Sequence, residues 1–286
     1  MDRITEIIYL GPEGTNTQVA AEQFAARRNL ARIPLTPLAS ITEIVMRVSD
    51  GGENILAIVP IENSIEGTVR ETIDALTRTT DERLKICAGL TLPIRHCLMA
   101  KPGTKLGDIK TVHSHPHALA QCRAYITDAI GNPTQVEEKS TAAAAQLLRN
   151  LDGTHAAIAP EKAAELYSLD ILAHDIGDVR DNCTDFVALS KIASVPTGND
   201  ETDIVVSTID KPGALVDVLN IFKAFGINLT HIESRPSRDA DYPGYLFHID
   251  FEGHMEDAHV LGAIAALRSS GLIRFFRDNG SYAKKS

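Results

Sequence analysis

What most limits the possible folds of this chain is a change of pattern two thirds of the way along it. Through residue 193, short apolar runs alternate with stretches of helical period. EIIYLG, RIPLT, NILAIVPIE, KICAGLTL, HCLMA, IKTVHS, HAAIAP, LDILAHDI and FVALSKIA read as strands, with helices expected over about 17–29, 39–50, 67–78, 116–130, 140–150 and 160–168. Such alternation builds an α/β domain around a largely parallel sheet. SVPTGNDET, Ser194 to Thr202, is polar, carries Pro and Gly and has no period, so it reads as a linker. Beyond it TDIVVSTI, INLTHIESRP, YLFHIDFEG and LIRFFRD are strands, while PGALVDVLNIFKAFG and MEDAHVLGAIAALRSSG are helices. Their order is the βαββαβ of a ferredoxin-like unit. Two domains of different type are expected, residues 1–193 and 203–286, joined by 194–202, which suits 286 residues at about 150 per domain.

With 44% hydrophobic and 23% charged residues, the chain has the makeup of a globular protein. The opening MDRITEIIYLG holds charges and no apolar run of signal-peptide length, and no stretch approaches the roughly 20 apolar residues of a membrane span. A cytoplasmic protein with no membrane partner is expected. The 4 cysteines, Cys87, Cys97, Cys122 and Cys183, form no C-x-x-C pair and suggest neither a disulfide framework nor a zinc site. A formal net charge of -10, spread without a basic patch, argues against nucleic acid as a partner.

The segment DNCTDF, Asp181 to Phe186, contains the sequon Asn182-Cys183-Thr184, and Asn228-Leu229-Thr230 is a second. Glycosylation is moot for a cytoplasmic chain, which leaves a turn or a hydroxyl set beside a substrate. Four other segments, EGTNTQ, IEGTV, HSHPH and KSTAA, place polar residues where a strand gives way to a helix. The plain reading is that Thr15, Thr68 and Thr141 cap helices. Helix starts that face one crevice also make a site for an anion, because free N–H groups and the positive dipole end point the same way; together they favour a carboxylate or phosphate ligand. HSHPH alternates His113, His115 and His117, but Pro116 interrupts the strand and no acidic or Cys partner lies at ligand spacing, so no metal is expected. GPEGT lacks the spacing of a nucleotide loop, and no G-x-S-x-G elbow is present.

VPIENSIEGTV, SHPHALAQC, STAAAA, AAIAP and NCTDF, in this order, resemble the prephenate dehydratase family, and GALVDVL with ESRP resembles that family's phenylalanine-sensing ACT domain. The resemblance implies a two-lobed catalytic domain like a type II periplasmic binding protein, followed by a ferredoxin-like ACT domain. It implies conversion of prephenate to phenylpyruvate, with loss of water and carbon dioxide and without a cofactor. Thr184 then corresponds to the family's essential threonine, with its hydroxyl near the leaving group. Thr15, Asn63, Ser64, Ser114, Thr141, Asn182 and Phe186 are its expected substrate-binding companions. An unperturbed threonine is a poor acid, so Thr184 is expected to donate a hydrogen bond while the full proton arrives from a neighbour or water; His115, able to change charge near neutrality, is the candidate source. Glu62 is expected to be structural. The sequence departs from the family at Asp185, where Arg is usual, and at Asn16, where an aromatic is usual. On a strand, Asp185 points away from Thr184 and Phe186, which places it outside the site.

For the second domain the resemblance implies a phenylalanine site formed by Gly213, Ala214, Leu215 and Val216 at a helix start, by Asn228 and Leu229, and by Glu233, Ser234 and Arg235. Domains of this type pair side by side, so a homodimer or homotetramer is expected. Alternatives are a prephenate decarboxylase, an arogenate dehydratase, and a non-catalytic amino-acid sensor.

Overall fold

The computed structural model describes residues 3–237 and 244–285. Lobe one opens the chain with β1 (Glu6–Leu10), α1 (Asn16–Arg27), β2 (Leu35–Leu38), α2 (Ile41–Asp50), β3 (Ile55–Asn63), the short β4 (Gly67–Thr68), α3 (Arg70–Arg78) and β5 (Lys85–Pro93). Lobe two follows as β6 (Cys97–Ala100), β7 (Thr111–Ser114), α4 (Pro116–Gln121), α5 (Arg123–Tyr125), β8 (Thr134–Glu137), α6 (Thr141–Leu147), β9 (His155–Ala159), α7 (Glu161–Tyr167) and β10 (Asp170–Ala173). The chain then returns to lobe one as β11 (Cys183–Ser190).

The sheets run β2-β1-β3-β11-β5, with β4 on β3, and β10-β6-β9-β7-β8. Both are mixed rather than largely parallel. β1 is parallel to β2 and β3, and β7 to β8 and β9, but the strands that arrive after each lobe crossing, β6 and β11, run antiparallel to their neighbours. The two crossings are tied where Ile94 N donates to Asn182 O at 2.9 Å. β1 shows why its run is almost wholly apolar. Ile7 and Tyr9 pack with Phe24 of α1 on one face, and Ile8 packs with Ile41 and Ile44 of α2 on the other. β4 and β8 went unread because one has two residues and the other, TQVE, is exposed and lacks apolar alternation. The helix expected over 116–130 is broken into α4, α5 and a wide turn that ends at Gly131, where φ is 91°.

The second domain comprises β12 (Asp200–Thr208), α8 (Ala214–Ala224), β13 (Leu229–Pro236), β14 (Tyr245–Glu252), α9 (Ala258–Ser269) and β15 (Ile273–Ala283). Its antiparallel sheet has the order β13-β14-β12-β15. β12 starts within the expected linker, because the Asp200 carboxylate accepts from Thr197 N (2.7 Å) and Gly198 N (3.0 Å) and turns the chain into the strand. Val218, Phe222, Val260 and Leu267 of the helices cover Ile204, Val206, Ile249 and Phe251 on one sheet face. The opposite face docks on lobe one. β15 runs on to Ala283, and its Tyr282, fully buried, enters the lobe-one core with Ile86, Val187 and Leu189. A Cβ at Gly280, where φ is 129°, would stand 2.4 Å from Ile86 O, so only glycine permits this approach. Lys85 Nζ meets Asp278 Oδ2 at 2.8 Å, and the Arg277 guanidinium donates to Thr79 O (2.7 Å) and Asp81 O (3.2 Å).

Candidate active site

At the lobe crossing, the end of β3 and the start of β11 form a closed set of hydrogen bonds. Asn63 Oδ1 accepts from Ile65 N and Glu66 N, both at 3.0 Å, which fixes the amide so that Nδ2 faces β11. That Nδ2 donates to Thr184 Oγ1 (2.9 Å), Asn182 Oδ1 (2.9 Å) and Cys183 O (3.0 Å). Cys183 N donates to Ser64 Oγ at 3.0 Å, while Ser64 N donates to Cys183 O at 2.9 Å. The consequence falls on Thr184. Its acceptor side is filled by Asn63, its side chain is buried, and among the described residues its own proton has no acceptor. Accepting a hydrogen bond polarises the hydroxyl and makes it a stronger donor.

The set extends into lobe two through Gln121, the last residue of α4. Asn182 Nδ2 donates to Gln121 Oε1 at 3.0 Å, and Gln121 Nε2 donates to Glu66 Oε1 at 3.0 Å. His96 Nε2 lies 3.0 Å from the same Gln121 Oε1, so it must carry its proton there, which leaves the buried Nδ1 bare and, among the described residues, without a partner. Burial, opposed by Gln121 and Asp175, lowers the His96 pKa and keeps the ring neutral. Gln121, Glu66 and His96 are the residues that sequence reasoning missed. The only local signal is a glutamine closing the otherwise apolar run of α4.

Asn63, Ser64, Asn182 and Thr184 are thus brought together. The remaining expected residues stand at helix starts or in the core. Thr15 caps α1, accepting from Gln18 N at 3.4 Å and donating to Pro12 O at 2.9 Å. The loop before it crosses to lobe two: a Cβ on Gly14 would lie 3.3 Å from Ala163 Cα and 3.5 Å from Ala142 Cβ, so the starts of α1, α6 and α7 meet. Tyr167 Oη to Glu13 O (3.4 Å) and Lys162 to Glu22 (2.9 Å) close the same edge. Thr141 is the first residue of α6, but its cap is Ser140, which accepts from Ala143 N at 3.0 Å. α3 begins after Val69, so Thr68 caps nothing. Ser114 is fully buried and donates to Ile158 O at 2.6 Å, which commits its proton to the lobe-two sheet.

His115 caps α4, its Nδ1 accepting from His117 N at 3.4 Å, and its ring meets His117 edge-on at 4.9 Å. Burial first, and then His117, lowers its pKa. His113 faces elsewhere, toward Glu138 (3.2 Å) and His155 (3.0 Å). Phe186 shares the Thr184 side of β11 but lies within the core beside Tyr9 and Phe24; its place is packing, not contact with a cleft ligand. Asp185 points the other way, where Thr91 Oγ1 donates to it at 2.6 Å and Lys285 Nζ lies at 3.0 Å.

The sequence model of prephenate dehydratase matches residues 7–194, and that of the ACT domain matches 202–269. The chain belongs to the prephenate dehydratase family. A prephenate dehydratase of Corynebacterium glutamicum is 39% identical over 271 residues, 93% of this chain and 84% of that protein. The crystal structure of an Arthrobacter aurescens prephenate dehydratase in complex with L-phenylalanine superposes with a TM-score of 0.87 at 39% identity, covering 98% of this chain and 90% of the other. The fold alone does not fix the chemistry. A solved protein described as a novel type of quorum-quenching acylase also aligns, with TM-score 0.84 and 29% identity over 97% of this chain and 98% of its own. Among the described residues no helix is long and apolar enough to cross a membrane.

In the ACT domain the expected effector residues divide between two faces. Gly213, at φ 82°, opens α8 with nothing within 4 Å of where a Cβ would stand. Ala214, Leu215 and Val216 form the first turn, and Asn228 and Leu229 lead into the edge strand β13. Ser234 alternates outward with the 46% exposed Ile232. Glu233 and Arg235 point to the opposite face, at the seam with lobe one. There Arg235 meets Asp74 at 3.3 Å and donates to Arg70 O at 3.5 Å, so it bridges domains rather than forming a free surface pair.

Proposed function

We propose that this chain converts prephenate to phenylpyruvate in the cytoplasm, with loss of water and carbon dioxide and without a cofactor, in the cleft where β11 leaves the lobe crossing. The observation that carries the reading is the orientation of Thr184, held by Asn63 with its own proton available to a ligand. The starts of α1 and α6, which meet beside Gly14, offer N–H groups for a carboxylate of prephenate, with Thr15 and Thr141 beside them. As the ring carboxylate leaves as carbon dioxide, its bonding pair enters the ring and the carbon–oxygen bond of the ring hydroxyl breaks. Thr184 donates its hydrogen bond to that departing oxygen, and a proton from His115 or water completes the water molecule. Because the His115 pKa is lowered, delivery from His115 makes turnover rise as the solution becomes more acidic.

L-phenylalanine is the proposed effector, bound at Gly213–Val216, Asn228, Leu229 and Ser234. Exposed apolar residues beside this region, Val216 at 58% and Ile232 at 46%, together with the unpaired edge of β13, support pairing of two ACT domains in a homodimer or dimer of dimers. The test is to incubate the protein with prephenate and follow phenylpyruvate by its absorbance in alkali, to incubate it in parallel with arogenate and follow phenylalanine by chromatography, and to titrate L-phenylalanine by calorimetry. Phenylpyruvate formed at a catalytic rate, with heat on phenylalanine addition, is expected. A non-aromatic product would make the chain a decarboxylase; binding heat without prephenate consumption would make it a sensor.

A further inference from the structure

The C-terminal strand of the ACT domain reaches the back of the catalytic strand. Lys285 follows β15, and its stem lies across Gly89 of β5, where a Cβ would stand 2.5 Å from Lys285 Cγ. The ammonium ends 3.0 Å from Asp185 Oδ2, with the two side chains only 13% and 23% exposed. Asp185 is fixed on its other oxygen by Thr91 at 2.6 Å. Burial opposes a charge on Lys285, yet Asp185, Glu201 and Asp250 outweigh it and hold the ammonium pKa above its ordinary value.

Three features make this more than a tether between domains. Asp185 is bonded through the backbone to Thr184, so a shift of one carboxylate moves the other's hydroxyl. β3 bulges beside this point, its Ile61 left without a partner between Glu62 opposite Asp185 and Pro60 opposite Phe186, so the ladder on that side of Asp185 is interrupted while β5 keeps β11 in register on the other. Lys285 also lines a small cavity at the seam with Asp203, His231, His248 and Asp250 of the ACT domain and Ile61, Glu62, Thr68 and Ile73 of lobe one. It therefore touches regulatory and catalytic surfaces at once.

We infer that Lys285 is a positioning residue for Thr184: by holding Asp185 it sets the strand that carries the catalytic hydroxyl, and it makes the seat of the ACT domain on lobe one a condition of full turnover. The inference rests on the proposed reaction at Thr184. A ligand that shifts β15 withdraws Lys285, leaves a partly buried carboxylate without its cation, and loosens β11 where it faces the β3 bulge.

The experiment uses the full-length protein with Lys285→Met and Lys285→Arg. Two readouts are taken: the kcat and KM for prephenate with and without L-phenylalanine, and amide hydrogen exchange in residues 183–187. Lys285→Met is expected to exchange faster in that segment, to lower kcat about tenfold or more with KM held within about twofold, and to blunt the phenylalanine response. Lys285→Arg, which keeps the cation, is expected to restore kcat to within about threefold. Unchanged exchange in Lys285→Met overturns the inference whatever the substrate. Loosened exchange in a protein that never consumes prephenate overturns the proposed reaction instead. A loss of kcat in Lys285→Arg equal to that in Lys285→Met shows bulk packing rather than charge, and also overturns it.

Discussion

The lobe crossing and the domain seam are both buried and polar, yet they are built from different chemistry. Immediately around Thr184 the work falls to groups that do not titrate, the amides of Asn63 and Asn182 and the hydroxyl of Ser64, each donating or accepting within about 3.4 Å; His96 and Glu66 enter only beyond Gln121. At the seam the groups are acids, bases and cations. Burial first, and then neighbouring Asp250, raises the Asp203 pKa well above the usual carboxylate range. Asp250 is pushed up to about 6, again chiefly by burial, and burial together with Arg235 and His231 takes His248 down to about 3. A catalytic hydroxyl needs one orientation at every working pH, which neutral amides supply. A regulatory contact needs two states of comparable energy, which a buried carboxyl poised near neutrality, as Asp250 is, supplies. Lys285 joins the two regions.

The contrast breaks most readily at Asn63. Asn63→Leu removes the donor that orients Thr184 and leaves Asn182 Oδ1 and Cys183 O short of a partner. Prephenate turnover is expected to drop about tenfold to a hundredfold, and stability by about 1–3 kcal/mol in denaturant titration. The fold-loss in turnover should be the same at pH 6.5 and pH 8.5, since neither Asn63 nor the groups its Nδ2 binds, on Thr184, Asn182 and Cys183, titrate in that range. A loss that varied with pH would erase the distinction between the regions.

The smaller test is at the seam. Asp250 binds its proton more tightly when folded, at about 6 against an ordinary aspartate at 3.8. Its contribution is therefore favourable below about pH 4 and is lost as pH rises through 6. Asp250→Asn keeps an acceptor for Asp203 and removes the ionisation. It should stabilise the fold at pH 8 by on the order of 1–2 kcal/mol, a few degrees in thermal unfolding, and should have no effect near pH 4. Equal stabilisation at both pH values would show that the carboxyl is not desolvated.

Much of this was legible in the sequence where the determinants are local. Most of the helices and the βαββαβ order of the ACT domain lie where the residues indicate, and Asn63, Ser64, Asn182 and Thr184 stand together at the lobe crossing. Long-range partners were not legible. Asn182 finds Gln121 across 61 residues, and Asp185 finds Lys285 across 100, with nothing in either neighbourhood to announce the meeting. Alternation on β11 gave the correct side for Phe186 but could not give its depth, and depth is what makes it core. β15 outruns its expected end because Asn279 and Ser281 go on pairing with β12, through Asp203 and Thr202, while Tyr282 enters the lobe-one core. The reversal of charge at Asp185 becomes intelligible on the same ground. The acid faces the seam, and its cation comes from Lys285.

The account stands on the Thr184 hydroxyl as the donor to the departing oxygen. Its most direct test is the rate of phenylpyruvate formation from prephenate by Thr184→Ser, which keeps a hydroxyl, beside Thr184→Val, which keeps the shape without it. The account predicts that Thr184→Ser retains turnover within about tenfold of the parent, and that Thr184→Val, still folded, loses roughly a hundred- to thousandfold, the usual effect of removing one hydrogen bond to developing negative charge. Parent-like turnover by Thr184→Val, or equal losses in both variants, would contradict it.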